Sequence, residues 1–198
     1  MRMKLNNNLN FDVVLASQSP RRIELLEKLN ISFKVKQADV DELKDYYLPA
    51  LLVVKNADLK SESISSLFPD SLVLGADTVV ELDSEVLGKP TDYGDAFNML
   101  KKLSGRKHQV TTAVSLKLKS KNINCNFAVT TDVSFKTLSD EVINEYLELE
   151  KPYDKAGSYG IQSNGDLLIE AVDGDIDNVI GLPCNRLMES FFYINMLT

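Results

Sequence analysis

Apolar residues crowd into Phe11–Ala16 (FDVVLA), a short run that predicts a buried strand. Polar Ser17-Gln18-Ser19-Pro20 ends it. Ile23, Leu26 and Leu29, joined by Leu25, then recur at helical spacing, which predicts a helix from about Pro20 to Leu29. Ser19 suits its N-cap, Pro20 its first position and Asn30 its C-terminal turn. A second strand is expected from Phe33 towards the acidic stretch Asp39-Val40-Asp41-Glu42. From 43 to 68 the pattern blurs. Leu48–Val54 reads as a helix, but Asn56, Asp58 and the serines that follow break the apolar stripe.

Leu72–Val80 (LVLGADTVV) reads as a strand, Asp83-Ser84 as a turn and Glu85–Leu87 as a short return strand leading to Gly88-Lys89-Pro90. Asp92 caps a helix running to Leu103, which Gly105 stops. Gln109–Leu118 and Cys125–Thr137 form a hairpin, and Ser139 caps a helix to about Leu149. A glycine-bearing loop over 151–162 leads to a strand at Leu167–Val172, and Gly181-Leu182-Pro183 precedes a C-terminal helix. Hairpins mixed with strand–helix units predict an α/β fold, a central mixed β-sheet with flanking helices. No repeat or Pro/Gly/Ser-rich linker divides the chain, so residues 1–198 read as one unit behind a loosely ordered Met1–Asn10 lead-in.

Composition narrows the chemistry. A net charge of −7 argues against a nucleic-acid surface, which needs a broad basic face. A small polyanion would need a local basic pocket. No apolar run approaches the ~20 residues of a membrane span, and the N-terminus lacks the apolar stretch of a signal peptide. Cys125 and Cys184 lack metal-type spacing and read as reduced thiols of a cytoplasmic protein. With one histidine, His108, a multi-histidine metal site within the chain is excluded. A hydrolase built on this sequence would rely on carboxylates, lysines and an oxygen-liganded Mg²⁺ or Mn²⁺.

Several segments offer such groups. Ser17 and Ser19 stand before a helix whose first turn carries Arg21 and Arg22, a setting that favours a bound phosphate but also fits a capped helix with solvated arginines. Asp77 sits within an otherwise apolar strand, where a carboxylate is costly unless paired, hydrogen-bonded or metal-bound; a solvent-facing edge strand is the plainer alternative. Lys89 lies at a tight turn, and Asp39–Glu42 offers carboxylates to a metal. Lys155 and Gln162 bracket the small-residue loop DKAGSYGIQ at 154–162. His108 reads as a structural, hydrogen-bonded histidine rather than a catalytic one.

In this order, LASQSPRR at 15–22, GADTVV at 75–80, LGKP at 87–90, LSGRKHQVTTAV at 103–114, DKAGSYGIQ at 154–162 and GLP at 181–183 resemble the Maf family of nucleoside triphosphate pyrophosphatases, named for an association with septum formation. The resemblance implies a two-lobed α/β domain with a nucleotide cleft, and a metal-assisted hydrolysis of a triphosphate to monophosphate and pyrophosphate. It puts the general base at Asp77, the phosphate-binding and catalytic cations at Arg22 and Lys89, and Ser17 and Ser19 in the same loop. Glu42 would hold the metal with Asp77. Where the family has a lysine-alanine pair, Lys55-Asn56 is expected, with Lys55 as a phosphate ligand. A homodimer is also implied. GADT and YGIQ resemble the dTTP/UTP branch, in which Thr78, Gln162 and Arg21 would read the base edge. Two alternatives are a nucleotide-binding regulator of division with little turnover and a 7-methyl-GTP-specific variant.

Overall fold

A computed structural model describes residues 9–44 and 48–198; most of the expected lead-in lies outside the described residues. In chain order the elements are β1 (Asp12–Leu15), α1 (Pro20–Lys28), β2 (Phe33–Val35), α2 (Pro49–Ser65), β3 (Ser71–Leu82), β4 (Glu85–Leu87), α3 (Tyr93–Leu103), β5 (Lys107–Leu118), β6 (Ile123–Phe135), α4 (Asp140–Glu150), β7 (Ile169–Asp173), α5 (Ile176–Ile180) and α6 (Cys184–Leu197). One mixed sheet runs β2-β1-β3-β5-β6-β7, and β4 pairs with β3 off that path. β1 is parallel to β2 and β3, whereas β3, β5, β6 and β7 are successively antiparallel.

The register creates the opening on which function depends. β1 accompanies β3 only as far as Leu15 opposite Leu74, with a last bond from the Ala16 N–H to the Leu74 carbonyl at 2.8 Å. β4 takes up the same edge of β3 at Val80. Between them, Gly75–Val79 is unpaired on that side while its other edge stays bonded to β5. Such a gap at the carboxyl end of a strand is where open α/β sheets bind ligands.

Apolar side chains gather on either side of this gap. Val13, Leu15, Leu26 and Leu72 pack with Leu187 and Phe191 of α6. At the far end of the long strands, Val80, Leu100, Val133, Phe135, Ile143 and Tyr146 make a second core. The three long strands span both, which gives the two lobes. α2 crosses β3 directly over Gly75: a Cβ there would meet the Ala57 carbonyl at 2.3 Å and the Ser61 N–H nitrogen at 2.7 Å. Only glycine permits that approach.

The expected helix at Leu48–Val54 is therefore real but far longer. Its buried face carries Asn56, Lys60, Ser61 and Ser65, which is why no apolar stripe appears in the sequence. Phe33–Val35 is shorter than expected, and 36–44 has no regular structure. Asn30 does take the left-handed conformation after α1, at φ 56°. Ser19 occupies the N-cap, but its hydroxyl makes no capping bond; Ser17 Oγ accepts the Ser19 N–H at 3.2 Å instead. No helix among the described residues is long and apolar enough to cross a membrane.

His108 is structural, as its setting predicted. It is 2% exposed, stacks edge-on against Phe135 and Tyr159, and shares a 2.7 Å hydrogen bond between Nε2 and the Tyr159 hydroxyl. Its Nδ1 is buried without a partner, so the imidazolium would place one N–H against nothing. Burial accordingly lowers its pKa from 6.5 to about 4. The unfolded chain gains this proton below about 6.5 and the folded one only below about 4, so stability falls as pH drops through that window. His108→Asn should lose roughly 2 kcal/mol less than wild type between pH 7 and pH 4.5 in urea titrations. Equal losses would remove His108 as the source of the acid sensitivity.

Candidate active site

Asp77 stands in the middle of the unpaired stretch of β3 and is 8% exposed. Lys60 from α2 meets it, with Nζ 2.7 Å from Asp77 Oδ1 and 2.9 Å from Glu42 Oε1. Asn56, one helical turn earlier on the same face, donates from Nδ2 to Asp77 Oδ2 at 3.3 Å. The same amide clasps the acidic segment: it donates to the Leu43 carbonyl at 3.0 Å and accepts the Leu43 N–H at 2.8 Å. α2 thereby brings Glu42 over Asp77. Partial burial pushes the Glu42 carboxyl up, but the Lys60 hydrogen bond and the charges of Lys60, Lys89 and Arg22 outweigh it and hold the group below its usual range.

Arg22 closes the opposite side. Its Nε donates to the Gly181 carbonyl at 2.9 Å, Nη1 to Ser17 Oγ at 3.3 Å and Nη2 to Thr78 Oγ1 at 3.1 Å. Burial lowers its pKa and Asp77 opposes the shift; an arginine stays charged regardless. Lys89 and Gln162 are exposed side chains on the walls of the same cleft. Arg21 spans it, pairing with Asp154 Oδ2 at 2.6 Å, while Lys155 holds the other oxygen at 2.8 Å. Partial burial raises the Asp154 pKa, yet these two cations bring it to about 2.

The cleft encloses about 1220 Å³, and its walls carry six lysines and arginines against four carboxylates. A chain of net charge −7 thus concentrates a cationic surface in this opening. That field selects a polyanion. Among the described residues no three His, Cys, Asp or Glu side chains converge. Glu42 and Asp77 do converge, on the Lys60 ammonium. Two hard oxygen donors of this kind fit Mg²⁺ or Mn²⁺, which usually takes one or two carboxylates and completes its shell with phosphates and water.

The family profile described as Maf-like protein matches residues 12–192. The chain belongs to the Maf-like family. A dTTP/UTP pyrophosphatase of Thermosipho africanus is 49% identical over 89% of this chain and 90% of its own length. Proteins of the same name from Akkermansia muciniphila and Clostridioides difficile are 48% and 44% identical, over 89% and 93% of this chain and 93% and 97% of their own. The Ham1 protein of Staphylococcus aureus shares the fold, with a TM-score of 0.53 at 16% identity over 92% of this chain and 98% of that one.

Within this Maf-like cleft the structure gathers Ser17, Ser19, Arg21, Arg22, Glu42, Asp77, Thr78, Lys89 and Gln162. It does not gather Lys55, which lies exposed and away from the cleft walls. Five residues of helix turn Lys60 about 140° from Lys55, so only one of them can face Asp77. Thr78 also departs from expectation: its hydroxyl is engaged by Arg22 and by Thr112 Oγ1 at 2.9 Å rather than turned to a base. Asn56 and Lys60 do not stand out in the sequence as site residues. Their signal was the four-residue spacing, which puts both on one helix face, together with the need of a buried aspartate for a counter-charge.

Lys60→Met should cost roughly 3 kcal/mol in urea unfolding, because it strands two carboxylates. Lys55→Met should stay within about 0.5 kcal/mol. A reversed order would refute the placement of α2.

Proposed function

We propose that this protein hydrolyses nucleoside triphosphates between the α- and β-phosphates, with dTTP and UTP as preferred substrates. The observation that carries the reading is Asp77: a buried carboxylate at the floor of a net-cationic cleft, on a strand segment without a partner on the cleft side. Relatives at 44–49% identity named dTTP/UTP pyrophosphatase support the substrate choice.

In this reading Asp77 takes the proton of a water whose oxygen bonds to the α-phosphorus. The bond from that phosphorus to the α–β bridging oxygen breaks, and pyrophosphate departs with the electron pair. Lys60 and Asn56 fix the carboxylate. Arg22, the N-terminus of α1 and Lys89 offset charge on the phosphoryl oxygens. A divalent cation held by Glu42 and Asp77 would supply further charge neutralisation to the phosphates. With Thr78 and Arg21 engaged elsewhere, Gln162 is left to read the pyrimidine edge, since an amide offers both a donor and an acceptor. The free Cys125 and Cys184 accord with a reducing, cytoplasmic setting.

Pyrophosphate release with dTTP, UTP, CTP, dGTP and 7-methyl-GTP should show the highest kcat/KM for the first two. A preference for 7-methyl-GTP would overturn the substrate assignment, and absence of turnover would favour a binding role. Asp77→Asn should still bind nucleotide while kcat falls about 10²–10⁴-fold. Activity should vanish in excess chelator and return with Mg²⁺ or Mn²⁺.

A further inference from the structure

Behind Arg22 lies a chain of hydrogen bonds whose direction can be read without seeing a hydrogen. Arginine only donates, and a backbone carbonyl only accepts. Arg22 Nη2 donates to Thr78 Oγ1 at 3.1 Å, Thr78 Oγ1 lies 2.9 Å from Thr112 Oγ1, and Thr112 Oγ1 donates to the Asn178 carbonyl at 2.8 Å. The one hydroxyl proton of Thr112 goes to that carbonyl. The proton between the threonines therefore comes from Thr78, and the chain runs one way, from guanidinium to carbonyl.

Its far end is anchored. Asn178 is fully buried; its Oδ1 accepts the Thr112 N–H at 3.2 Å, and its Nδ2 donates to the Val110 carbonyl at 2.9 Å and Thr131 Oγ1 at 3.0 Å. Thr131 Oγ1 in turn donates to the Asp175 carbonyl at 3.0 Å and accepts the Asp175 N–H at 3.1 Å. Every side-chain polar atom of Thr112, Asn178 and Thr131 is matched, which ties the α5 turn to β5 and β6. The same turn ends at Gly181, whose φ of 129° suits glycine and whose carbonyl accepts from Arg22 Nε. Of the five N–H groups of Arg22, Gly181, Ser17 and Thr78 take three. One on each terminal nitrogen is left for an anion.

Resting on the proposed function, we infer that Thr112 is a positioning residue for Arg22. Fully buried on β5, it never touches substrate. It orients the Thr78 hydroxyl, which orients the guanidinium, so that the free N–H pair meets the phosphate already aligned. A fixed guanidinium loses less freedom on binding than a mobile one.

A double-mutant cycle tests this. Thr112→Val, nearly isosteric, should lower kcat/KM for UTP by about tenfold, and Thr112→Ser, which keeps the hydroxyl, by less than about twofold. In an Arg22→Ala background, Thr112→Val should cost less than about twofold, because the group it serves is gone. A full tenfold loss in that background would show a general structural role and overturn the inference, as would an unimpaired Thr112→Val enzyme. Thermal melting checks folding, and Thr112→Ala carries the same cycle if the valine variant does not fold. If wild type releases no pyrophosphate, the functional reading fails by itself. The cycle is then read on inorganic pyrophosphate affinity by calorimetry, where additive losses would overturn the positioning role.

Discussion

The structure turns on a carboxylate placed inside the central strand of a sheet. Burying Asp77 is costly unless the charge is met by others, and the local architecture supplies that meeting. α2 must lie close enough to β3 for Lys60 to reach it, which needs Gly75 beneath the helix. Asn56 on the same face holds the irregular segment at Leu43, and Glu42 arrives as the second anion on the Lys60 ammonium. Stability and chemistry draw on the same contacts. The pair is nonetheless a weak source of stability, since desolvation offsets much of its attraction. Its value lies in fixing two carboxylates at one place.

Around that centre the field reverses the sign of the whole chain. The acidic balance is spread over the outside, while Arg22, Lys60 and Lys89 face the same opening. In the proposed function a triphosphate entering it would exchange hydration for these cations and for the positive end of α1. The Arg21–Asp154 pair across the cleft joins the two lobes at its rim. It also explains why Arg21, adjacent to Arg22, is not equivalent to it: one is held at depth by neutral oxygens, the other is neutralised at the surface.

Much of this is legible in the amino-acid sequence. The apolar run Leu72–Val80, the hairpin over Gln109–Thr137 and the caps Asp92 and Ser139 follow from local patterns: apolar runs mark buried strands, polar clusters mark turns, and short oxygen-bearing side chains accept the free N–H groups of a helix start. The cleft groups were legible because a strand-borne aspartate and an Arg-Arg first turn violate those patterns. α2 was not, since a helix packed on polar partners has no apolar stripe to display. Lys55 and Lys60 could not be told apart without knowing which face lay against β3. The hydroxyl chain through Thr112 to Asn178 was invisible for another reason. It joins residues distant in sequence, through threonines that in a strand look like ordinary β-formers.

In the proposed function a water activated by Asp77 attacks the α-phosphorus. A single turnover of UTP in heavy-oxygen water tests this attack most directly, with mass spectrometry on both products. The label is expected in the nucleoside monophosphate, with none in pyrophosphate and no label transfer above background with Asp77→Asn. Label in pyrophosphate, or release of orthophosphate and nucleoside diphosphate, would contradict it.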